Sequence, residues 1–175
     1  MKIAILLPYK ENYSPDYAGA VSLFVKDTHK ISKFKNKISI YGSTNYKKKL
    51  TPNYINLDYN KGILQSNSQY YVSQFLKNHK KSNIIEIHNR PAYINYILKK
   101  NITSKLVLYF HNDPLTMTGS RSITDRKKLL FNATKIIFNS HWSRKRFLQG
   151  IEGLHLNSEK MNVIYQSTKP TKVNL

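Results

Sequence analysis

The sequence predicts a Rossmann-like, three-layer α/β/α domain built on a mostly parallel sheet. Three observations predict it. Short apolar runs rich in β-branched residues recur along the chain, longer stretches of helical period separate them, and polar residues gather where the runs end. A chain of 175 residues is the size of one domain and can bury roughly 70% of its unfolded surface, so it needs no disulfide or metal to fold.

The apolar runs place strands at residues 3–7, 37–41, 84–88, 106–111, 135–139 and 162–165, with a weaker one at 54–57. Helices are expected between them. Residues 20–33 bring Val21, Phe24 and Val25 together, with Thr28 and Ile31 continuing the stripe. Residues 66–80 do the same with Val72, Phe75 and Leu76. Pro91 suits the first turn of a helix reaching residue 100, because its missing N–H would have no partner there. Residues 122–132 and 140–149 complete the set, Ser140 being placed to cap the last. The run Lys47-Lys48-Lys49, followed by Pro52, reads as a surface loop.

Composition narrows the function classes. The chain has no cysteine, which excludes a disulfide framework, a Cys-ligated zinc site and a thiol nucleophile. No stretch approaches the ~18 uninterrupted apolar residues of a spanning helix, and Pro8 interrupts the amino-terminal run, so a cytoplasmic protein is expected. A net charge of +20 invites a polyanionic partner. However, the lysines are spread along the whole chain, and Lys, Asn, Ile and Tyr all have A/T-rich codons. No nucleic-acid partner is therefore expected, and a weak peripheral attraction to an anionic membrane surface is retained.

In an open parallel sheet, ligands bind beyond the carboxyl ends of the strands, where helix amino termini point. After the first run, Pro8 to Ser22 form a loop entering a helix through Ala18-Gly19-Ala20, without a Gly-x-Gly-x-x-Gly or Gly-Lys-Ser/Thr pattern. Next comes Glu86-Ile87-His88-Asn89-Arg90-Pro91. A carboxylate inside an apolar strand either meets a cation or lies at the sheet's edge. Another strand closes in Phe110-His111-Asn112-Asp113-Pro114, and a further one in Asn139-Ser140-His141-Trp142 ahead of Arg144, Lys145 and Arg146. Those three cations serve an anionic ligand or simply a solvated face.

Taken in order, the first strand with its small-residue loop, the segment 86–91, the strand ending in Phe110-His111, Ile137-Phe138-Asn139-Ser140 and Val163-Ile164-Tyr165-Gln166 resemble the amino-terminal domain of glycosyltransferase family 4, retaining enzymes of the GT-B fold. The resemblance implies that Gly19 and Ala20 offer backbone N–H groups to a donor phosphate and that His111 contacts the donor sugar near the reacting centre. It puts Glu86, His88, Asn89 and Arg90 on the acceptor side, joined by Asn112 and Asp113. It implies a nucleoside diphosphate sugar as co-substrate, a glycan or glycolipid acceptor, and no cofactor or metal. Residues 1–166 would be the domain and 167–175 the start of a linker, with a donor-binding carboxy-terminal domain in cis missing from this chain. The chain alone would then be nearly inactive. Two positions depart from the family pattern: Ala18-Gly19-Ala20 has one glycine where two are frequent, and Gln166-Ser167 stands where Asn-Gly is frequent. Two rival readings are a stand-alone flavodoxin-like domain binding a phosphorylated or sugar ligand without chemistry, and a charge-driven nucleic-acid binder whose affinity would fall steeply with salt.

Overall fold

The computed structural model describes residues 1–57, 66–79, 81–100, 102–153 and 158–166; the expected linker at 167–175 lies outside them. Seven strands form one sheet: β1 (Ile3–Leu6), β2 (Ile38–Gly42), β3 (Tyr54–Asn56), β4 (Ile84–His88), β5 (Lys105–Phe110), β6 (Lys135–Phe138) and β7 (Met161–Val163). Every pairing is parallel, so the sheet is wholly rather than mostly parallel. Its order, β3-β2-β1-β4-β5-β6-β7, reverses direction between β1 and β4. That reversal leaves a crevice at the carboxyl ends of these two strands, where the connecting segments diverge.

The helices are α1 (Ala20–Ile31), α2 (Asn67–Asn78), α3 (Ala92–Leu98), α4 (Ile123–Asn132) and α5 (His141–Leu148). Strand alternation divides the core between two faces. Ala4, Leu6, Ile85, Ile87, Leu106, Leu108, Phe110, Ile136 and Phe138 point to the face where α2 to α5 pack. Ile5, Leu7, Ile38 and Ile40 point to the other, against Val21 and Val25 of α1. Hence Glu86 and His88 of β4 and Tyr109 of β5 share the face of α1.

Side-chain caps start three of the helices. Ser66 accepts from the Gln69 N–H at 3.2 Å, Ser140 from the Ser143 N–H at 3.1 Å, and Ser122 with Asp125 forms a reciprocal capping box. Helix α1 ends two residues earlier than its pattern predicts. Ile31, its last residue and expected on the buried stripe, is 82% exposed. The lysine run is divided: Lys47 and Lys48 are exposed, but the Lys49 ammonium turns in to the Thr44 carbonyl at 3.3 Å and lies 5.4 Å from the centre of the Tyr54 ring.

Candidate functional site

Four strands deliver the polar residues expected at the sheet's carboxyl end, and the register explains how they meet. His88 of β4 lies beside Tyr109 of β5, so His111, two residues on, emerges on the same face just above it. The outcome is a continuous chain. Glu86 Oε1 lies 2.6 Å from His88 Nε2, and His88 Nδ1 lies 2.8 Å from His111 Nε2. His111 Nδ1 meets the side-chain amide of Gln166. Backbone anchors hold the last histidine. Its N–H donates to Asn89 Oδ1 at 3.3 Å, and its carbonyl accepts from Asn139 Nδ2 at 2.7 Å. Asn89 takes φ 55°, a left-handed conformation that asparagine tolerates better than most residues.

Aromatic rings fix the imidazoles further. Tyr109 stacks on His111 with centroids 4.6 Å apart and on His88 at 5.4 Å, while Phe24 of α1 meets the edge of His111 at 5.2 Å. Burial, and then the Glu86 carboxylate, push the Tyr109 phenol up to about 12. It stays protonated and donates to the Ile164 carbonyl at 3.0 Å, tying the segment that carries Gln166 to β5.

Burial, reinforced by neighbouring His88, lowers the His111 pKa from its ordinary 6.5 to about 3. His111 is therefore neutral at pH 7. Between pH 6.5 and pH 3 the unfolded chain binds a proton here that the folded chain does not, so this site makes stability fall as pH falls through that window. From pH 7 to pH 5 the loss is about 2 kcal/mol. Urea denaturation at the two pH values is expected to show this loss in the wild type and a correspondingly smaller one in His111→Phe. Equal losses in the two proteins would contradict the assignment.

The start of α1 holds a group the sequence did not single out. Glu11 Oε1 accepts the Ser22 N–H at 3.0 Å, so a carboxylate sits on the positive end of the helix. Gly19 makes room for it, because a Cβ there would lie 2.2 Å from Glu11 Oε1. The helix terminus expected to receive a phosphate through Gly19 and Ala20 thus carries an anion of its own. The sequence contained one signal: Glu11 is among only nine carboxylates in a chain of net charge +20.

The other expected residues divide. Glu86 and His88 stand behind His111: His88 is fully buried, whereas Glu86 keeps part of its side chain exposed and lines a hollow of about 260 Å³ together with Phe24 and Tyr109. Arg90 reaches the ring of Tyr9, 5.9 Å from its centre, and its buried Nε has no hydrogen-bond partner among the described residues. Beside that ring lies a hollow of about 290 Å³ lined by Tyr9, Lys10, Asn12, Ser43, Asn45 and Asn67. Asn112 is exposed at the rim. Asp113 is taken up structurally: it caps the Leu115 N–H at 3.0 Å and binds Arg146 through Nη2 at 3.0 Å and Nε at 3.2 Å. Burial works to raise its carboxyl, but the bonds from Arg146 and Leu115 outweigh that and hold it below the usual range. Arg146 is therefore a loop anchor, which decides one of the three cations left open by the sequence. A larger hollow, about 770 Å³, lies at the amino ends of β4 and β5 around Ser82, Asn83 and Ser104. In a parallel α/β sheet the helix amino termini point to the opposite end, so that hollow lacks their N–H groups.

No protein-family model matches the chain, and no curated protein sequence is significantly similar to it. Solved structures are. The Anabaena protein Alr3699/HepE, in complex with UDP and glucose, superposes with a TM-score of 0.63 at 17% identity, over 96% of this chain and 45% of that one. The UDP-forming α,α-trehalose-phosphate synthase of Burkholderia xenovorans does so with 0.61 at 11% identity, over 94% of this chain and 48% of that one. What they share with this chain is the fold. It is a Rossmann-like α/β fold, and this chain spans less than half the length of those proteins. Among the described residues no helix is long and apolar enough to cross a membrane.

Proposed function

We propose that the chain is the amino-terminal, acceptor-side half of a retaining glycosyltransferase of family 4. The whole enzyme transfers a hexosyl group from a nucleoside diphosphate sugar to a glycan or glycolipid hydroxyl, in cell-envelope glycan synthesis at the cytoplasmic side of a membrane. The observation that carries this reading is a neutral, rigidly held His111 at the carboxyl end of β5, close to the switch point of a fold that HepE and trehalose-phosphate synthase share. UDP, glucose and UDP-glucose bound to the Anabaena protein support the donor class.

In this proposal residues 1–166 are the domain, and the following segment leads to a second domain in cis that supplies the groups stabilising the leaving diphosphate. His111 touches the donor sugar. Asn89, Arg90 and Asn112 face the acceptor, with the amide-lined hollow beside Tyr9 as its seat. Departure and attack take place on the same face of the sugar without a protein nucleophile, cofactor or metal. The strongly basic surface gives weak peripheral contact with anionic lipid. Transfer itself is the test. This chain joined to the polypeptide encoded after Leu175 is expected to release nucleoside diphosphate from a hexose donor when glycolipid acceptor is added. No release from any UDP-, GDP- or ADP-hexose would reject the proposal.

The start of α1 supplies a second measurement. A donor phosphate on the Gly19 and Ala20 N–H groups has to displace the Glu11 carboxylate, and two unit charges about 4 Å apart repel by about 4 kcal/mol near a protein surface, less after relaxation and salt screening. Glu11→Gln is therefore expected to tighten UDP binding by about tenfold, corresponding to about 1.4 kcal/mol. Titration calorimetry at fixed ionic strength reads it, and weaker binding by the variant would remove phosphate from this helix terminus.

A further inference from the structure

The hydrogen bonds from Gln166 to Glu86 run in one direction, and chemistry sets that direction. An ionised carboxylate only accepts, so His88 Nε2 carries the hydrogen shared with Glu86 at 2.6 Å. With that single ring hydrogen, His88 has a lone pair on Nδ1. The group 2.8 Å from that lone pair, His111 Nε2, must carry a hydrogen in turn. This leaves His111 Nδ1 as a bare acceptor, and the side-chain amide of Gln166 meets it. Stacking against Tyr109 and the edge contact with Phe24 stop the ring from turning over to exchange its nitrogens. His88 is fully buried and reaches no ligand itself, while Gln166 is exposed and can withdraw.

We propose that Glu86 and His88 are positioning residues. They hold His111 as the Nε2–H tautomer, so that its Nδ1 accepts a hydrogen bond from a hydroxyl of the bound sugar once Gln166 gives up that place. This rests on the assignment of His111 to the donor sugar and adds the atom and the polarity of the contact. A bare nitrogen acceptor selects a hydroxyl. It repels a phosphate or carboxylate oxygen, which has no hydrogen to give. The part of the ligand met by His111 is therefore the uncharged polyol face, and the phosphates bind elsewhere.

Two-bond ¹⁵N–¹H correlation spectra of the labelled 175-residue chain at pH 7 test the positioning without any sugar. The wild type is expected to show His111 in one tautomer, with Nε2 protonated and Nδ1 bare. Glu86→Leu is expected to turn this into a mixture, and Glu86→Gln, which still offers an accepting oxygen, to restore the single form. In case Glu86→Leu unfolds the chain, His88→Phe keeps a stacking ring, removes the accepting nitrogen and is expected to give the same mixture. A wild-type His111 protonated on Nδ1, a doubly protonated His88, or a single Nε2–H tautomer surviving in both Glu86→Leu and His88→Phe would overturn the positioning role. Adding UDP-glucose to the wild type examines the sugar contact separately. A shifted Nδ1 resonance supports it, and an unmoved one at calorimetric saturation removes the contact while leaving the tautomer assignment standing.

Discussion

Phe138→Ala is expected to lower the unfolding free energy by about 4 kcal/mol, read as a drop in the urea midpoint at unchanged slope. Phe110, Phe138 and Phe147 are each fully buried, with ring centroids 5.4 to 5.6 Å apart. Removing the Phe138 ring discards its transfer free energy and leaves a void between two strands and α5 that rigid neighbours cannot fill. The location gives the substitution a second effect. Phe110 directly precedes His111, and Phe138 directly precedes Asn139, whose amide holds the His111 carbonyl. The backbone N–H of Asn139 also donates to the Phe110 carbonyl at 3.2 Å. The aromatic layer is thus the floor of the candidate site, and loosening it broadens the position of His111. Ile151→Val, at the edge of the same core, removes a single methylene and is the control, with an expected cost of about 1 kcal/mol.

The scaffold was legible because parallel strands covered on both faces read as nearly unbroken apolar runs, and β1, β2, β4, β5 and β6 are of that kind. The edge strands β3 and β7 have three residues each, too few for a period to declare itself. Helix boundaries were readable where a serine caps the start, at Ser122 and Ser140, and less so at the end of α1, where Ser32 follows in extended backbone without a glycine. In the site, alternation alone puts Glu86 and His88 on one face. That His88 then meets His111 depends on the β4–β5 register, which is a property of the folded sheet rather than of either segment. The same holds for Glu11, which reaches Ser22 across a loop with no regular period. Asp113 illustrates the reverse difficulty. Its position after a strand-ending histidine suggested a ligand contact, yet Arg146, 33 residues away, binds it.

Charge scarcity links these points. With nine carboxylates against 29 lysines and arginines, an acid near the sheet's carboxyl end has many cations to choose from. Glu11 and Glu86 nevertheless meet a helix terminus and an imidazole, and Asp113 alone of the three pairs with an arginine. The buried Nε of Arg90, beside the hollow at Tyr9, has no hydrogen-bond partner among the described residues.

The proposed transferase predicts its largest kinetic effect at His111. In the enzyme containing this domain, His111→Ala is expected to lower kcat by about two to three orders of magnitude, the usual consequence of removing one preorganised polar contact to the reacting centre. A contact made chiefly as charge develops on the sugar lowers kcat and kcat/KM together, whereas one made equally in the ground state raises KM alone. Truncation also leaves the buried His88 Nδ1 without its donor, at a cost of about 1 to 3 kcal/mol in stability. The thermal midpoint therefore has to be measured alongside, with assays kept well below it. His111→Asn separates the two contributions. Its amide can still donate to His88 and so recovers much of the lost stability, but it places no bare ring nitrogen where the sugar hydroxyl would lie, so its turnover is expected to stay near that of alanine. Wild-type turnover in both variants would leave the histidine as a structural member of the β4–β5 network and nothing more.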